Sequence, residues 1–208
     1  IERSITGPVS AVIDARVRIV DGILDATAPD GLAYGGPAAF WELDPGHIPG
    51  PNPPPPTAFW GGPLWLENVT VLGRVRADAL ELVSNTLLLA DPAADGRPPV
   101  EARRTQEGCV RFSYVPPRSR TPRRFQCRPG PNEEDARVRP APLSTRSADP
   151  AYALLPAQAS SAVRRGADDE DEMGAYHLLQ RSRRDAHLRA RLEEYLRFGL
   201  EAGVFYIP

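Results

Sequence analysis

Four short segments carry one repeated pattern: IERSIT (1–6), IVDGIL (19–24), LENVTV (66–71) and LVSNTL (82–87). Each runs from an aliphatic residue through a polar residue to Ile or Thr, with one-residue spacers between them. The first two segments start 18 residues apart and the last two 16 residues apart. A Pro- and Gly-rich insertion accounts for the longer gap in the middle. Recurrence at such a period is the sequence signature of a repeat architecture.

The repeated units themselves predict short β-strands. Apolar and polar residues alternate over about five to seven positions, β-branched residues are frequent, and a turn residue follows. A weaker fifth unit is CVRFSYV (109–115). Because so short a strand cannot bury its face alone, successive units should stack and bury a continuous core. We therefore predict a mainly β fold, a right-handed parallel β-helix, with an antiparallel sandwich as the alternative.

The pattern also predicts which residues lie beside one another in the stack. Four residues share its last position and should be equivalent: Ile5, Ile23, Thr70 and Thr86. Four polar residues share its middle position and should form a column beside a turn: Arg3, Asp21, Asn68 and Ser84.

Changes in composition divide the chain into three parts. Residues 1–115 hold the β-helix coils, interrupted by a Pro/Gly-rich loop insertion at 28–63 that contains four consecutive prolines. Residues 116–163 form an Arg/Pro-rich extended segment, and little packing is expected over 116–150. Residues 164–208 supply the C-terminal helix and a terminal strand.

The C-terminal part changes to a helical period. The acidic run at 168–172 suits a helix N-terminus, and VFYI (204–207) is a plausible last strand. Four apolar residues recur on one face of the helix: Leu188, Leu192, Tyr195 and Leu196. This amphipathic helix is expected to cap the exposed end of the stack, and docking to a partner is the alternative.

Composition excludes several classes of protein. With 25 basic and 27 acidic residues the formal charge is −2, which argues against a general nucleic-acid binder. No apolar run is long enough for a membrane span. The chain begins without Met inside an expected strand, so we expect it to be a piece of a longer protein.

A search for catalytic residues finds no convincing set. A glycoside hydrolase needs two carboxyl groups about 5–9.5 Å apart, whereas Asp21 and Asp25 on one strand would stand about 13 Å apart. Asp14 could approach one of them across a turn, but nothing in the spacing requires this.

No metal site and no cofactor are expected either. The carboxylates at 168–172 lack the spacing of a calcium loop. On one helix, His177 and His187 would lie about 15 Å apart and on different faces, so they cannot share a metal. His47 stands alone in the Pro-rich loop.

Two sets of residues are candidates for contact with partner proteins. The first is aromatic and lies in or near the insertion: Trp41, Phe59 and Trp60. The second is a run of arginines: Arg118, Arg120, Arg123 and Arg124. For the aromatic residues, pinning of the loop onto the stack is the preferred interpretation, and protein contact is the alternative. For the arginines, a salt-bridged loop or a protein-interface patch is preferred, and binding of phosphate or a nucleic-acid base is the alternative. Cys109 and Cys127 are candidates for a disulfide, or for two buried thiols.

Five longer strings carry a resemblance to a known family: LENVTVLGRV (66–75), SNTLLLA (84–90), RTQEGCVRFSYVPPRSRTPRRFQC (104–127), RRGADDEDEMGAYH (164–177) and LRARLEEYLRFGLEAGVFY (188–206). They resemble the C-terminal part of large bacterial proteins that are similar to pectin-lyase-type right-handed β-helices. Those proteins are associated with phage-tail-like contractile injection systems.

The resemblance implies a non-enzymatic structural or target-contact role at the end of a β-helical rod in such a particle. It implies other protein subunits as partners, with a homo-oligomer left open, and a location in a bacterial cytoplasmic assembly or a released particle. No catalytic residues can be carried over from the family. A polysaccharide lyase or hydrolase of the same fold is the alternative function.

Overall fold

The computed structural model describes residues 1–28, 30–42, 46, 53–92, 96–130 and 138–203. The chain is mainly β, with three parallel sheets and few helices. The strands are β1 (Ile5–Thr6), β2 (Val9–Ser10), β3 (Val17–Val20), β4 (Ile23–Asp25), β5 (Leu32–Gly35), β6 (Leu64–Glu67), β7 (Thr70–Leu72), β8 (Arg74–Ala77), β9 (Leu80–Ser84), β10 (Leu87–Leu89), β11 (Val100–Ala102), β12 (Gly108–Arg111) and β13 (Arg124–Phe125). The helical segments are Pro37–Trp41, Pro56–Phe59, Ser161–Arg164, His177–Leu179 and Arg181–Tyr195.

From β1 to β12 the chain visits the three sheets in an unchanging rotation. The first sheet has the order β1-β4-β7-β10, the second β2-β5-β8-β11, and the third β3-β6-β9-β12-β13. Every strand pair is parallel. The parallel sheets confirm the β-rich parallel fold and overturn the antiparallel sandwich.

The core is made of rows of apolar side chains, with one row from each sheet. Neighbours in each row are register partners on adjacent strands, and all of the side chains are fully buried in a single cluster. The rows are Leu24, Val71 and Leu88 in the first sheet, Tyr34, Val75 and Val100 in the second, and Ile19, Leu66, Val83 and Val110 in the third. Because each apolar side chain stacks on another apolar side chain, the levels share one continuous core.

The register confirms the predicted stacking for the first three units and corrects it for the fourth. Ile5 pairs with Ile23 and Ile23 with Thr70, as expected. The partner of Thr70 is Leu87, however, and Thr86 lies one position earlier. The fourth unit therefore begins one residue later than its pattern suggested.

The predicted loop insertion at 28–63 is not a loop throughout. Leu32–Gly35 forms β5, which pairs with β2 and β8 in the middle of the second sheet. Gly61 also bridges to Ala77 of β8. The four consecutive prolines lead into the helical segment Pro56–Phe59, whereas residues 29, 43–45 and 47–52, which include His47, lie outside the described residues.

The expectation of little packing over 116–150 is wrong for residues 120–128. Arg120 bridges to Glu101 on the second sheet, β13 pairs with β12 on the third, and Arg128 bridges to Tyr114. Cys127 is buried in the core cluster. This polar segment therefore adds one more level to the stack, using backbone hydrogen bonds that do not depend on apolar side chains.

Residues 138–180, which we call the cover, pack on the outer face of the first sheet. Outward-facing strand residues Ile23, Leu72 and Leu87 are buried there. They join two further hydrophobic clusters with residues of the cover: Tyr152, Ala153, Leu155, Val163, Met173 and Ala175. Apolar residues spaced widely along an irregular segment thus bury most of the outer face of this sheet, whereas Ile5 on its edge strand β1 remains 58% exposed.

The long helix differs from the prediction at both ends. It spans Arg181–Tyr195, so the acidic run at 168–172 belongs to the cover and not to its first turn. Its predicted apolar stripe is not buried as a cap, because Leu188 is 47% and Tyr195 81% exposed. The expected terminal strand at 204–207 lies outside the described residues.

Truncation of a core side chain should test the stacked core. Leu66→Ala removes a fully buried side chain of β6 and should lower the free energy of unfolding by about 2–5 kcal/mol. Leu188→Ala on the exposed helix is the matched control and should change it by less than about 0.5 kcal/mol. Denaturant titration followed by circular dichroism measures both. Equal losses in the two variants would contradict the assigned core.

Candidate functional site

Residues in the left-handed backbone conformation line one corner of the stack, where chain segments of the third sheet continue into the first. Their φ angles lie between 47° and 54° at Arg3, Asp21, Asn68, Asn85, Phe112 and Gln126. Asn and Asp adopt this conformation more readily than other residues that carry a Cβ. The predicted polar column therefore exists, with Asn85 in the place given to Ser84.

Side-chain hydrogen bonds connect the middle of this column. Asn68 Nδ2 donates to Asp21 Oδ1 at 2.9 Å, and Asn85 Nδ2 to Asn68 Oδ1 at 3.3 Å. Asn85 also bonds the cover, because its Nδ2 donates to Asp168 Oδ1 at 2.8 Å and its Oδ1 accepts from the Asp168 N–H at 3.0 Å. The column therefore joins adjacent levels of the stack and holds the cover against them.

Substitutions at Asn85 should separate its two contributions. Asn85→Ala loses both the side-chain hydrogen bonds and the ease of the left-handed conformation, and should destabilise the fold by about 2–3 kcal/mol. Asn85→Gly loses only the hydrogen bonds, so it should lower the free energy of unfolding by about 1 kcal/mol less than Asn85→Ala does. Chemical denaturation measures the difference. If the Gly variant is as unstable as the Ala variant, the backbone conformation contributes nothing there.

The carboxylates considered for catalysis have structural partners. Asp25 is buried, and its two oxygens accept hydrogen bonds from the Tyr152 hydroxyl at 2.6 Å and the Thr27 N–H at 2.7 Å. Asp21 accepts the bond from Asn68 and lies 3.9 Å from Arg3. Asp14 is exposed in the turn before β3. Asp25 thus anchors the cover to the end of β4, a role that the sequence did not predict.

The Tyr152–Asp25 contact should make stability depend on alkaline pH. Burial, together with the hydrogen bond to Asp25 and the charge of Asp25, raises the pKa of Tyr152 above its usual value near 10. The unfolded chain then releases this proton at a lower pH than the folded chain does. The stability that this group contributes is present below about pH 10 and is lost as pH rises above it.

Tyr152→Phe should lower the free energy of unfolding at pH 7 by about 1.5–3 kcal/mol, because a hydrogen bond to a buried carboxylate is lost. It should also flatten the decline of stability above pH 10. Tyr195→Phe, at a residue that is 81% exposed, is the control. Urea titrations from pH 7 to 11 measure both effects, and an unchanged alkaline slope in Tyr152→Phe would contradict the assignment.

A groove of about 590 Å³ lies where strands of the first sheet end beside the cover. It is lined by residues at the ends of these strands and by charged and proline residues from the segments 116–118 and 139–145. Those that bear on function are Asp25, Asp91, Tyr114, Arg118 and Arg139. Of the four predicted contact arginines, only Arg118 lines this groove.

The aromatic candidates pack on the outer face of the second sheet. Phe59 and Trp60 are half-buried, and the guanidinium carbon of Arg76 lies 5.9 Å and 5.0 Å from their ring centroids. These distances are typical of cation–π contacts. Trp41 remains 46% exposed at the end of its helix. The structure thus supports pinning for two of the three aromatic residues.

One predicted arginine extends this aromatic cluster into a row. Arg76 lies 3.9 Å from Glu101, and Glu101 lies 4.0 Å from the exposed Arg120. We call Phe59, Trp60, Arg76, Glu101 and Arg120 the second-sheet row. Arg76 and Glu101 were missed in the sequence, although the alternation in RVRA (74–77) indicated that Arg76 points away from the core.

Among the described residues, the other three predicted arginines form no hydrogen bond or ion pair with this row. Arg124 donates to Thr121 Oγ1 at 2.8 Å and to the Ser119 carbonyl at 2.9 Å, while Arg118 and Arg123 are exposed. Arg124 is therefore held by hydrogen bonds to neutral groups of its own segment, whereas Arg118 and Arg123 are open to a partner.

The two cysteines are free thiols in this structure. Cys109 is half-buried, and Cys127 is buried with its Sγ 3.3 Å from the Val110 carbonyl oxygen. Burial raises the pKa of the Cys127 thiol, which disfavours the reactive thiolate. The candidate disulfide is not formed here.

Comparisons of the chain with protein-family models, with curated proteins and with solved structures returned no match. Within the described part of the chain, no helix combines the length and apolar character needed to cross a membrane. The groove, the second-sheet row and the stack that carries them are the features of the molecule that bear on its function.

Proposed function

We propose that this chain is the end of a right-handed parallel β-helical rod with a non-enzymatic structural or target-contact role. The observation that carries the proposal is the unchanging rotation of the strands through three parallel sheets. In a β-helix each coil contributes one strand to each face, which is the pattern that such a rotation would produce. A phage-tail-like contractile injection particle, expected from the sequence resemblance, is the assembly that we propose.

Rigidity is the property that this role requires. Rows of fully buried side chains fill the space between the sheets, and the Asn68–Asn85 hydrogen bond links adjacent levels at one corner. The buried Asp25 is used to hold the cover. Polar groups inside the body thus stabilise the stack, and this supports a mechanical role over a chemical one.

The second-sheet row supplies a surface suited to protein contact. It combines two half-buried aromatic rings with charged groups of both signs, and Trp41 is exposed on the helix that precedes it. Aromatic residues and arginine are enriched at protein interfaces, where they account for much of the binding energy. We propose this row as the contact with another subunit or with the target.

A polysaccharide lyase or hydrolase is the second candidate, and the groove is the observation that favours it. Its volume would admit a short segment of glycan, and Arg118 and Arg139 in its lining would attract an acidic sugar. Of the two carboxylates in its lining, Asp25 and Asp91, Asp25 already accepts hydrogen bonds from Tyr152 and Thr27, whereas a hydrolase needs two carboxyl groups. The structural role is therefore preferred.

Particles purified from a bacterium that carries the gene should decide between these functions. If the chain is a contact component, antibodies against it should label one end of each particle in electron micrographs. The double variant Trp60→Ala/Arg120→Ala should reduce attachment to the target at least tenfold. Arg146→Ala, at an exposed arginine outside the row and outside the predicted contact residues, should leave attachment unchanged.

The same preparation should be incubated with acidic and neutral polysaccharides, and release of sugar ends should be measured. The structural proposal expects no release. Cleavage that Arg118→Ala/Arg139→Ala abolishes at an unchanged melting temperature would establish the enzyme in its place.

A further inference from the structure

We propose that Asp168, Asp169 and His177 bind one zinc ion on the outside of the stack. One ligand atom from each of the three side chains lies within 4.8 Å of the other two. Two carboxylates and an imidazole suit zinc, whereas calcium prefers oxygen ligands alone. The site belongs to the cover and is separate from the groove and from the second-sheet row.

The orientation of the His177 ring is the observation that points to a cation. Its Nδ1 lies 3.0 Å from the Glu172 carbonyl oxygen. Because a carbonyl oxygen only accepts hydrogen bonds, the neutral tautomer that makes this bond has its proton on Nδ1 and its lone pair on Nε2. Metal-binding histidines are typically held in this way by a second hydrogen bond.

The Asp169 carboxylate faces Nε2 and, like Nε2, offers lone pairs to a cation. Asp169 Oδ2 lies 3.7 Å from Nε2, which is too long for a direct hydrogen bond. Two ligand atoms of a tetrahedral zinc ion are about 3.4 Å apart, since each zinc–ligand bond is about 2.0–2.2 Å long. A small movement of either side chain would therefore place both atoms on one ion.

The surrounding charges have both signs. Arg183 lies 3.4 Å from Asp169 Oδ2, and Arg181 lies 3.6 Å from Glu172. The fully buried Asp171 adds negative charge, and among the described residues its Oδ2 accepts no hydrogen bond. Arg183 is 47% exposed, and its Nη2 also donates to the Asp169 carbonyl oxygen at 2.7 Å. A divalent cation at the carboxylate would therefore have to displace Arg183 from Oδ2, which costs little at so exposed a pair.

Zinc at this position would fasten the cover to the corner column. Asp168 already exchanges two hydrogen bonds with Asn85 of the column. His177 lies in the short helical segment just before the long helix. An ion shared by these residues would link the column, the acidic run and the base of the helix.

Zinc titration of the whole chain in a non-chelating buffer tests the site. Isothermal calorimetry should show one ion per chain with a dissociation constant of 10 µM or tighter, and saturating zinc should raise the melting temperature by about 5 °C. Asp169→Asn and His177→Gln should each weaken binding at least tenfold. His187→Gln, on the exposed face of the long helix, should bind zinc normally.

Histidine-selective NMR keeps the test decisive if the His177 or Asp169 variants do not fold. The chain has only three histidines, so His47→Gln and His187→Gln assign the His177 ring by elimination. Zinc should shift its Nε2 resonance and leave Nδ1 protonated. Absence of binding, zinc bound at another histidine, or binding retained in a folded His177→Gln variant would each overturn the proposal.

Discussion

In-register pairing of parallel strands is the constraint on which the remaining structure depends. The strands are only two to five residues long, and each can place few side chains on each face. In β4, Leu24 points into the core while its neighbour Ile23 points outward beneath the cover. A slip of one residue would exchange these two environments along the whole row. The corner column opposes such a slip, because Asn68 and Asn85 bond each other only when adjacent levels are aligned.

The long excursions of the chain follow from the same geometry. Stacking alone buries only the inner face of each sheet, so the apolar residues on an outer face need a separate partner. The first sheet is protected by the cover, which uses Tyr152 and Met173 among others. The second sheet is partly protected by the segment around Phe59 and Trp60. Proline-rich and polar stretches that look like linkers in the sequence are therefore part of the folded body.

The strands and their parallel stacking could be predicted because their residues recur with the same spacing and chemistry. The predicted register was wrong at LVSNTL (82–87). The apolar run Leu87–Leu89 at its end allows the alternation to be aligned in two ways. Only the left-handed conformation of Asn85 distinguishes the two alignments. Strand β5 was hidden because all four of its residues are buried, which removes the alternation. The surroundings of His177 could not be predicted from its spacing to His187 along one helix, because the fold brings His177 beside Asp169.

The polar groups of the molecule fall into two sets with different consequences. Asp25 and Asn85 are buried, and Asn68 is half-buried. All three are hydrogen-bonded to other parts of the chain, so a ligand could use them only by breaking structural contacts. Arg118, Arg120 and Arg123 are exposed, and little stability is lost when a partner engages them. An enzyme normally holds reactive groups preorganised and partly desolvated in a cleft. Here the preorganised groups are the structural ones, and the available charges lie on the outer surface. That division is what a rigid support for contact surfaces requires.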